Sequence, residues 1–440
     1  MNNKEKLELA RWAVEQAKFH GAEEVSVDVA QSRNVEVEYR DGQLDKLKES
    51  TQNALDISFY DDNRYSSHGT NDLRKESLEK FISGAVAMTK YLNEDPHRKL
   101  PDPEFYKGQK DIDLKVFDSS YESVTSEQRV QISKEIESIA RAQSDKILSC
   151  TAGYSDSFSQ SVKVNSNGFE GESSRTAFSA GAEATVDDGE GGRPYDWNWA
   201  TVRLFKDLPD LEFLGKVAVE RALEKIGQDK MESGKYDMVV ENRSAGRLFY
   251  SLFSPMQASS LQQKSSFLEG RLGEKIASGK FTLIDDPFIV NGLGSRLYDG
   301  EGMATKKRVK IDKGVLKEYY IDNYYGNKLG MAPNSGSTSN LTLEYGTKSL
   351  DDLIKEMKKG ILVKNFIGGN SNSTTGDFSI GIVGLYVEDG RIVRPVNEMN
   401  ISGNMNEFWN RLAEVGNDPY IYSSWRFPSL YFTDVQFSGI

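Results

Sequence analysis

The stretch Glu24-Val-Ser-Val-Asp-Val-Ala-Gln-Ser-Arg-Asn-Val-Glu-Val-Glu-Tyr-Arg-Asp-Gly42 indicates how the first part of the chain folds. Apolar residues alternate with polar ones over 25–29 and again over 35–39, the pattern of half-buried strands. Asp41-Gly42 then favours a hairpin turn. Residues 54–60 predict a further strand, so this part of the chain is expected to form antiparallel hairpins.

Helices flank these predicted strands on both sides. Residues 4–20 carry apolar side chains at helical spacing and are followed by Gly21, a residue typical of helix ends. A second helix is predicted over 73–92. The Pro-containing segment 95–103 then predicts a linker.

A similar order of elements follows the linker. Thr125-Ser-Glu-Gln128 has the spacing of a capping box and predicts a helix that ends near Ala142. Asn167-Gly168 predicts a hairpin, and a helix is expected over 211–226. The helix–hairpin–helix order thus occurs twice, without a residue-level repeat.

The sequence pattern changes after Lys235, from long helix–hairpin units to many short elements. A strand is predicted over 236–240, a helix over 245–261, and then short strand candidates interrupted by one helix over 350–357. We therefore predict an α+β fold. Its three units are an N-terminal α/β unit (1–100), a middle α/β unit (101–230) and a strand-rich C-terminal domain (231–440).

The amino-acid composition argues against several classes of function and location. The chain has 55 basic and 67 acidic side chains, a net charge of −12, which argues against direct nucleic-acid binding. The single Cys150 fits a reducing compartment. The N-terminus lacks an apolar targeting segment, and the longest apolar run, 380–387, is too short for a bilayer. We expect a cytoplasmic protein that does not enter a membrane.

Catalytic motifs are scarce. Three scattered histidines and one cysteine argue against a zinc centre. Carboxylates could instead hold Mg²⁺ or Ca²⁺, although such pairs also arise in turns of an acid-rich chain. The candidate carboxylates are Asp285, Asp286, Asp299, Glu301 and Asp377.

Two loops rich in Gly, Ser and Asn suit the binding of an extended chain or an anion, and equally suit ordinary turns. They are Asn334–Ser339 and Gly368–Gly376. The candidate peptide-binding positions in the second loop and beside it are Gly368, Gly369, Asn370, Thr375, Gly376 and Asp377.

The C-terminal sequence resembles that of the TldD/PmbA family. The shared motifs occur in the family's order and cover about residues 235–440: 267–273, 285–287, 299–302, 375–379, 387–390, Ser402-Gly-Asn404, Gly416-Asn-Asp418 and Pro428-Ser-Leu430. Members have been named modulators of DNA gyrase. The resemblance implies a cytosolic metallopeptidase, formed by a TldD–PmbA pair, that acts on peptides or unfolded proteins.

The chain departs from the catalytic branch of that family at the metal motif. The TldD-like branch carries His-Glu-x-x-x-His on a helix and a later Cys. Aligning the motif's Gly with Gly246 places Asn242 and Arg247 at the two His positions and Arg243 at the Glu position. No Cys follows Gly416-Asn-Asp418. Guanidinium groups would repel a divalent cation at such a site.

The resemblance therefore implies the PmbA/TldE-like branch, a non-catalytic subunit with no metal and no catalytic residue of its own. A divalent metal is expected in a TldD-like partner, with which this chain would form a heterodimer around a peptide substrate. A homodimer of this chain alone stays open, as does any enzymatic activity of its own. Two alternatives also stay open: a stand-alone hydrolase with a carboxylate-bound metal, and a regulatory binding protein such as a gyrase modulator.

Overall fold

The first half of the chain repeats one arrangement of helices and strands in the computed structural model, which describes residues 1–440. The first copy comprises α1 (Asn3–Phe19), β1 (Glu24–Arg40), β2 (Gln43–Asp61), β3 (Arg64–Thr70) and α2 (Lys75–Thr89). The second copy comprises α3 (Ser126–Arg141), β4 (Ile147–Asn165), β5 (Phe169–Val186), β6 (Tyr195–Val202) and α4 (Leu211–Leu223).

Local signals set the ends of these elements. Thr125 accepts from the backbone of Gln128, and the Gln128 side chain accepts from the backbone of Thr125, so the predicted capping box is confirmed. Asp41 and Gly42 both have positive φ and join β1 to β2 through a two-residue turn. Gly168, at φ 108°, lies in the predicted hairpin between β4 and β5.

Pairing between the two copies creates one antiparallel sheet in the order β3-β2-β1-β4-β5-β6. The two apolar stretches predicted as separate strands form the single strand β1, because the polar residues 31–34 between them pair on both sides, with β2 and with β4. For the same reason the strand predicted over 54–60 is part of the 19-residue β2. Main-chain hydrogen bonds hold these polar segments in extended form although their side chains give no apolar signal.

Helices cover only one face of this sheet. Val35 and Val37 of β1 are buried beneath them, whereas the alternating Asn34 and Glu36 point to the opposite face. The residues on that opposite face are mostly small or polar, and we refer to it as the open sheet face. It is the surface on which two of the cavities described below lie.

The segment predicted as a linker is bound along the second half of the chain. The Tyr324 hydroxyl donates to Asp95 at 2.6 Å, and the Asn323 side chain donates to the carbonyl of Lys99 at 2.7 Å. Beyond the predicted linker, the backbone of Asn291 donates to the carbonyl of Leu114 at 2.9 Å. These contacts hold the two halves in a defined relation.

The second half contains two sheets and five short helices. Its strands are β7 (Gly234–Val240), β8 (Leu283–Asp286), β9 (Arg308–Asp312), β10 (Val315–Leu316), β11 (Asn340–Leu343), β12 (Lys359–Ser371), β13 (Asp377–Glu388), β14 (Arg391–Asn404), β15 (Leu412–Val415), β16 (Trp425–Arg426) and β17 (Leu430–Ser438). Its helices are α5 (Asn242–Phe253), α6 (Ala258–Gln262), α7 (Asn323–Leu329), α8 (Leu350–Glu356) and α9 (Met405–Phe408).

One of these sheets closes into a barrel. Its order is β14-β13-β12-β7-β17-β15, and an additional pairing joins β14 to β17. The other sheet has the order β10-β9-β8-β11-β16. Phe249 of α5, Phe281, Trp409 and Phe432 are buried in the shared core, where each large side chain contributes about 1.5–3 kcal/mol by burial. The predicted α+β class is confirmed.

The predicted helix over 245–261 is wrong in its bounds. The helix begins at Asn242 and ends at Phe253, and a separate short helix follows at Ala258–Gln262. Pro255 explains the break, because it lacks the N–H that a continuous helix needs. No helix in the chain combines the length and the apolar character needed to cross a membrane.

Candidate functional site

The N-terminus of α5 is anchored by groups from distant parts of the chain. The backbone N–H of Asn242 donates to Ser429 Oγ at 3.1 Å, and Asn242 Nδ2 donates to the carbonyl of Asp418 at 2.7 Å. The Asp418 carboxylate in turn accepts from the backbone and hydroxyl of Ser429, at 2.9 and 2.7 Å. Asn242 therefore serves as a fixed link between the helix and the segment 416–429.

The four aligned motif positions line one cavity. Asn242, Arg243, Gly246 and Arg247 occupy one side of a space of about 340 Å³. The other lining residues are Tyr250, Tyr420, Ser423, Ser424 and Trp425. We call this space the α5 cavity. Because these motif positions lie within six residues of one helix, the sequence already placed them together, whereas residues 420–425 were not predicted.

Arg243 links the α5 cavity to β6, the edge strand of the sheet that the two copies form together. Its Nη2 donates to the carbonyl of Trp197 at 2.7 Å, and its guanidinium carbon lies 4.3 Å from the centre of the Trp197 ring. Its Nε and Nη1 are buried without hydrogen-bond partners. Burial, reinforced by the nearby Arg221 charge, lowers the pKa of Arg243. The cavity thus holds a desolvated cation with free donors.

The carboxylate of Glu241, near this arginine, is already neutralised by other cations. Glu241, the residue before α5, accepts from Arg221 at 2.8 Å and lies 3.3 Å from Lys364. Burial opposes its ionised form, but the charges of Lys364 and Arg221 outweigh burial and lower the pKa of Glu241. Glu241 is therefore held as part of a charged network rather than presented to the cavity.

The donor set of the α5 cavity does not fit a metal ion. Arginine has N–H donors but no lone pair to offer a cation. Nowhere in the chain are three or more His, Cys, Asp or Glu side chains grouped so that they could hold a metal. No mechanistic step through a metal bound to this chain follows from the geometry.

The four carboxylates predicted as an alternative metal site bind cationic side chains or backbone N–H groups instead. Asp285 is fully buried and pairs with Arg308 at 2.5 Å, and Asp286 pairs with Lys307 at 2.9 Å. Asp299 accepts from two backbone N–H groups of its own turn. Glu301 accepts from the backbone of Asn323 at 3.0 Å, and burial raises the pKa of Glu301 to about 7. The four residues do not form a metal-binding cluster.

The second predicted set lies at the far end of the barrel strands. Gly368, Gly369 and Asn370 were predicted in a loop but belong to β12, next to an irregularity in its pairing with β13. Thr375 and Gly376 form the turn, and Asp377 begins β13. The turn is ordered by side chains: Asp377 accepts from Thr375 Oγ1 at 2.7 Å and from Asn404 Nδ2 at 2.8 Å.

This second set does not join the α5 cavity. Val363 of β12 pairs with Val240, two residues before Asn242. Asn370 lies seven residues further along β12, which is about 23 Å at the rise of an extended strand. The structure therefore separates the two groups of candidate residues.

The open sheet face was not predicted from the sequence. It forms one wall of a cavity of about 470 Å³, and the residues that line this wall include Gly153, Ser155, Ser157, Ser179 and Trp199. The available signal was the strict alternation of serine at 155, 157, 159 and 161. We call this space the sheet cavity. Tyr420, from the wall of the α5 cavity, donates its hydroxyl to the carbonyl of Trp199 at 2.9 Å, so the two cavities share a boundary.

Comparison with known proteins places this geometry in a family. The model for the PmbA/TldA metallopeptidase C-terminal domain matches residues 233–439, and the model for the central domain of the same metallopeptidases matches residues 119–226. Together the two matches cover more than half of the chain.

Relatives match over nearly their whole length. The metalloprotease PmbA of Escherichia coli O157:H7 is 28% identical over 431 residues, covering 96% of this chain and 93% of that protein. A Bacteroides thetaiotaomicron protein described as a modulator of DNA gyrase has a crystal structure that is 41% identical, with full coverage of both chains and a TM-score of 0.97. TldE from Thermococcus kodakarensis shares the fold at 22% identity, with 98% of this chain and 100% of that chain covered and a TM-score of 0.87. The chain belongs to the PmbA/TldD family.

Proposed function

We propose that this chain is the non-catalytic, PmbA/TldE-like subunit of a cytoplasmic metallopeptidase that acts on peptides or unfolded proteins. The observation that carries the proposal is the chemistry of α5. When the motif's Gly is aligned with Gly246, Asn242, Arg243 and Arg247 fall at the positions of the metal ligands and general base of the TldD-like branch. The two arginines have no lone pair with which to replace a metal ligand or a base. In this proposal a TldD-like partner supplies the divalent metal and the activated water.

The α5 cavity suits binding rather than catalysis. Arg243 presents buried N–H donors without partners, and buried donors of this kind gain most from an acceptor such as a peptide carbonyl. The surrounding aromatic side chains of Tyr250, Tyr420 and Trp425 offer apolar contact area. The chain's contribution is then to hold a substrate segment while the partner performs hydrolysis.

A free strand edge supports the binding of extended peptides. β12 pairs with β7 only over Gly360–Val363, and the carbonyl of Lys364 accepts from Ser244 Oγ at 2.8 Å, so the free part of the strand on that side is residues 365–371. Gly368, Gly369 and Asn370 belong to this free edge, and Ile367 on it is 44% exposed. A peptide added as a strand would bind mainly through main-chain hydrogen bonds, with little dependence on sequence.

The test is reconstitution with the TldD-like partner. We expect the two chains to co-purify, with divalent metal found by mass spectrometry in stoichiometric amount on the partner and none on this chain. Peptidase activity should require both chains. Arg243→Met should weaken substrate binding by the complex, seen as a raised KM. The control variant Arg74→Met, whose side chain is 81% exposed and lies outside the α5 cavity, should leave KM unchanged.

Two results would overturn the proposal. Full peptidase activity of the partner alone would show that this chain is not a required subunit. Stoichiometric metal and hydrolysis by this chain alone would instead favour the stand-alone hydrolase.

A further inference from the structure

A third cavity, of about 420 Å³, lies where the open sheet face meets the second half of the chain. Asp28, Lys163 and Arg175 reach it from the sheet, and Arg296 and Asp299 reach it from the opposite wall. These three cations and two carboxylates give the wall one excess positive charge, whereas the whole chain carries −12. The cavity is therefore a local reversal of the protein's charge.

The two arginines lack carboxylate partners. Arg175 Nε donates to Ser173 Oγ at 3.1 Å, and Arg296 Nη2 donates to the carbonyl and hydroxyl of Ser337 at 3.0 and 2.9 Å. Arg296 Nε is buried without a partner. Lys163 differs, because it lies 3.5 Å from the Asp28 carboxylate. The cavity thus contains two guanidinium groups with unused N–H donors.

Desolvation makes these arginines receptive to an anion. Burial lowers the pKa of both Arg175 and Arg296, which means that their positive charges are poorly solvated where they stand. An incoming anion would replace the missing water and gain charge-assisted hydrogen bonds.

We propose that Arg175 and Arg296 bind a carboxylate group of an extended peptide. The planar guanidinium fork matches the two oxygens of a carboxylate. A single negative charge also balances the excess positive charge of the wall, whereas a phosphate dianion would be opposed by Asp28 and Asp299. The choice of a peptide rests on the proposed function, but the anion site itself does not.

The open sheet face provides a path for the rest of such a peptide. Ser159 and Ser161 line this cavity, and Ser155 and Ser157, on the same face of β4, line the sheet cavity. From Ser161 back to Gly153 the strand spans eight residues, or about 26 Å. Serine hydroxyls both donate and accept hydrogen bonds, so they can serve either polar group of a peptide main chain. A peptide held by its carboxylate at the arginines would extend toward Trp199.

Calorimetric titration of this chain alone tests the site. The probes are the acetylated hexapeptide Ser-Ala-Gly-Ser-Ala-Gly as a free acid, the same peptide as a C-terminal amide, the amide with Glu in place of its third residue, and inorganic phosphate. The variants are Arg175→Gln and Arg296→Gln, with Arg175→Lys as a form that keeps the charge but loses the fork. Arg74→Gln is the control, since the Arg74 side chain is 81% exposed and lies outside the cavity.

We expect the free acid to bind about tenfold more tightly than the amide, because a hydrogen bond to a charged group is worth more than one to a neutral group. Each Gln variant should lower the affinity for the free acid to that of the amide, and Arg74→Gln should leave it unchanged. If the Glu-containing amide binds as tightly as the free acid, the site takes acidic side chains; if it binds as weakly as the plain amide, the site is specific for a C-terminal carboxylate.

Three results would overturn the inference: equal binding of the free acid and the amide, no binding of any peptide, or tighter binding of phosphate than of the free acid. Circular dichroism of each variant shows whether it is folded, and Arg175→Lys keeps the test decisive should Arg175→Gln unfold. Because no partner subunit is present in this titration, its failure would leave the reconstitution result, and with it the proposed function, unaffected.

Discussion

Replacing Arg308 by Met should destabilise the protein far more than the same change at the neighbouring Lys307. Arg308 pairs with Asp285, which is fully buried, and their side chains are 8% and 0% exposed. Lys307 pairs with Asp286, but its own side chain is 57% exposed. The two variants remove the same charge from adjacent residues and differ mainly in burial.

The expected magnitudes follow from that difference. Without Arg308, Asp285 keeps only its hydrogen bonds from the backbone and hydroxyl of Ser339. Breaking a buried pair by removing one partner costs about 3–5 kcal/mol, because the remaining charge is left uncompensated. Losing a pair whose cation is largely exposed, as Lys307 is, costs about 0–1 kcal/mol. Arg308 also donates to the carbonyls of Ser335 and Ser337, which adds to the loss.

Urea unfolding followed by tryptophan fluorescence measures the difference as a shift of the transition midpoint. The double variant Asp285→Asn with Arg308→Met should recover part of the lost stability, since the neutral amide no longer needs a cation. Equal midpoints for the Arg308 and Lys307 variants would refute the reasoning. A fall in the natural protein's midpoint on adding a chelator would instead indicate that these carboxylates hold a metal.

Three further predictions concern packing, protonation and thiol reactivity. Gly181→Ala should lower the free energy of unfolding by about 1–3 kcal/mol, because the new Cβ would lie 2.1 Å from the carbonyl oxygen of Asn198. Gly84→Ala, with open space around it in α2, should raise the free energy of unfolding by about 0.5–1 kcal/mol. Urea midpoints measure both changes. Because burial raises the pKa of Glu301 to about 7, the folded state holds this proton more tightly than the unfolded state, so its contribution to stability falls as pH rises from about 4.5 to 7. Glu301→Gln should therefore flatten the dependence of the urea midpoint on pH over that range, and an unchanged profile would contradict the assignment. Burial raises the pKa of Cys150 to about 12, so the thiol should react with a disulfide reagent only on unfolding; rapid reaction of the folded protein would contradict its burial.

Elements with local signals were predictable from the sequence. The capping box at Thr125 and Gln128 and the Asp41-Gly42 turn were predicted and confirmed, because such features depend on residues within a few positions of each other. The residues of α5 are also close together in sequence, but the metal-free role predicted for them stays a prediction. Asn242, Arg243 and Arg247 occupy about one turn and a half of a helix, and the sequence shows that two of the three are arginines, which offer no lone pair to a metal.

Long-range pairing was decided by the tertiary structure. The sequence shows two similar helix–hairpin–helix units, but only the pairing of β1 with β4 joins them into one sheet with an open face. Likewise, only the contact between β14 and β17 closes the barrel. Pairing of strands far apart in sequence depends on how whole surfaces fit together, which no local pattern records.

For individual charged residues too, the sequence shows which charges are present, and the tertiary structure sets their partners. By sequence, Asp285 and Asp286 are a carboxylate pair that could hold a metal, while Arg175 and Arg296 are unremarked members of a charged chain. Folding places Arg308 against Asp285 and leaves the two arginines without partners in a cavity. The sequence by itself determined which charges are present and which residue types α5 carries. Only the tertiary structure decided which charges are neutralised, because a charge's partner is set by proximity in space and its strength by burial.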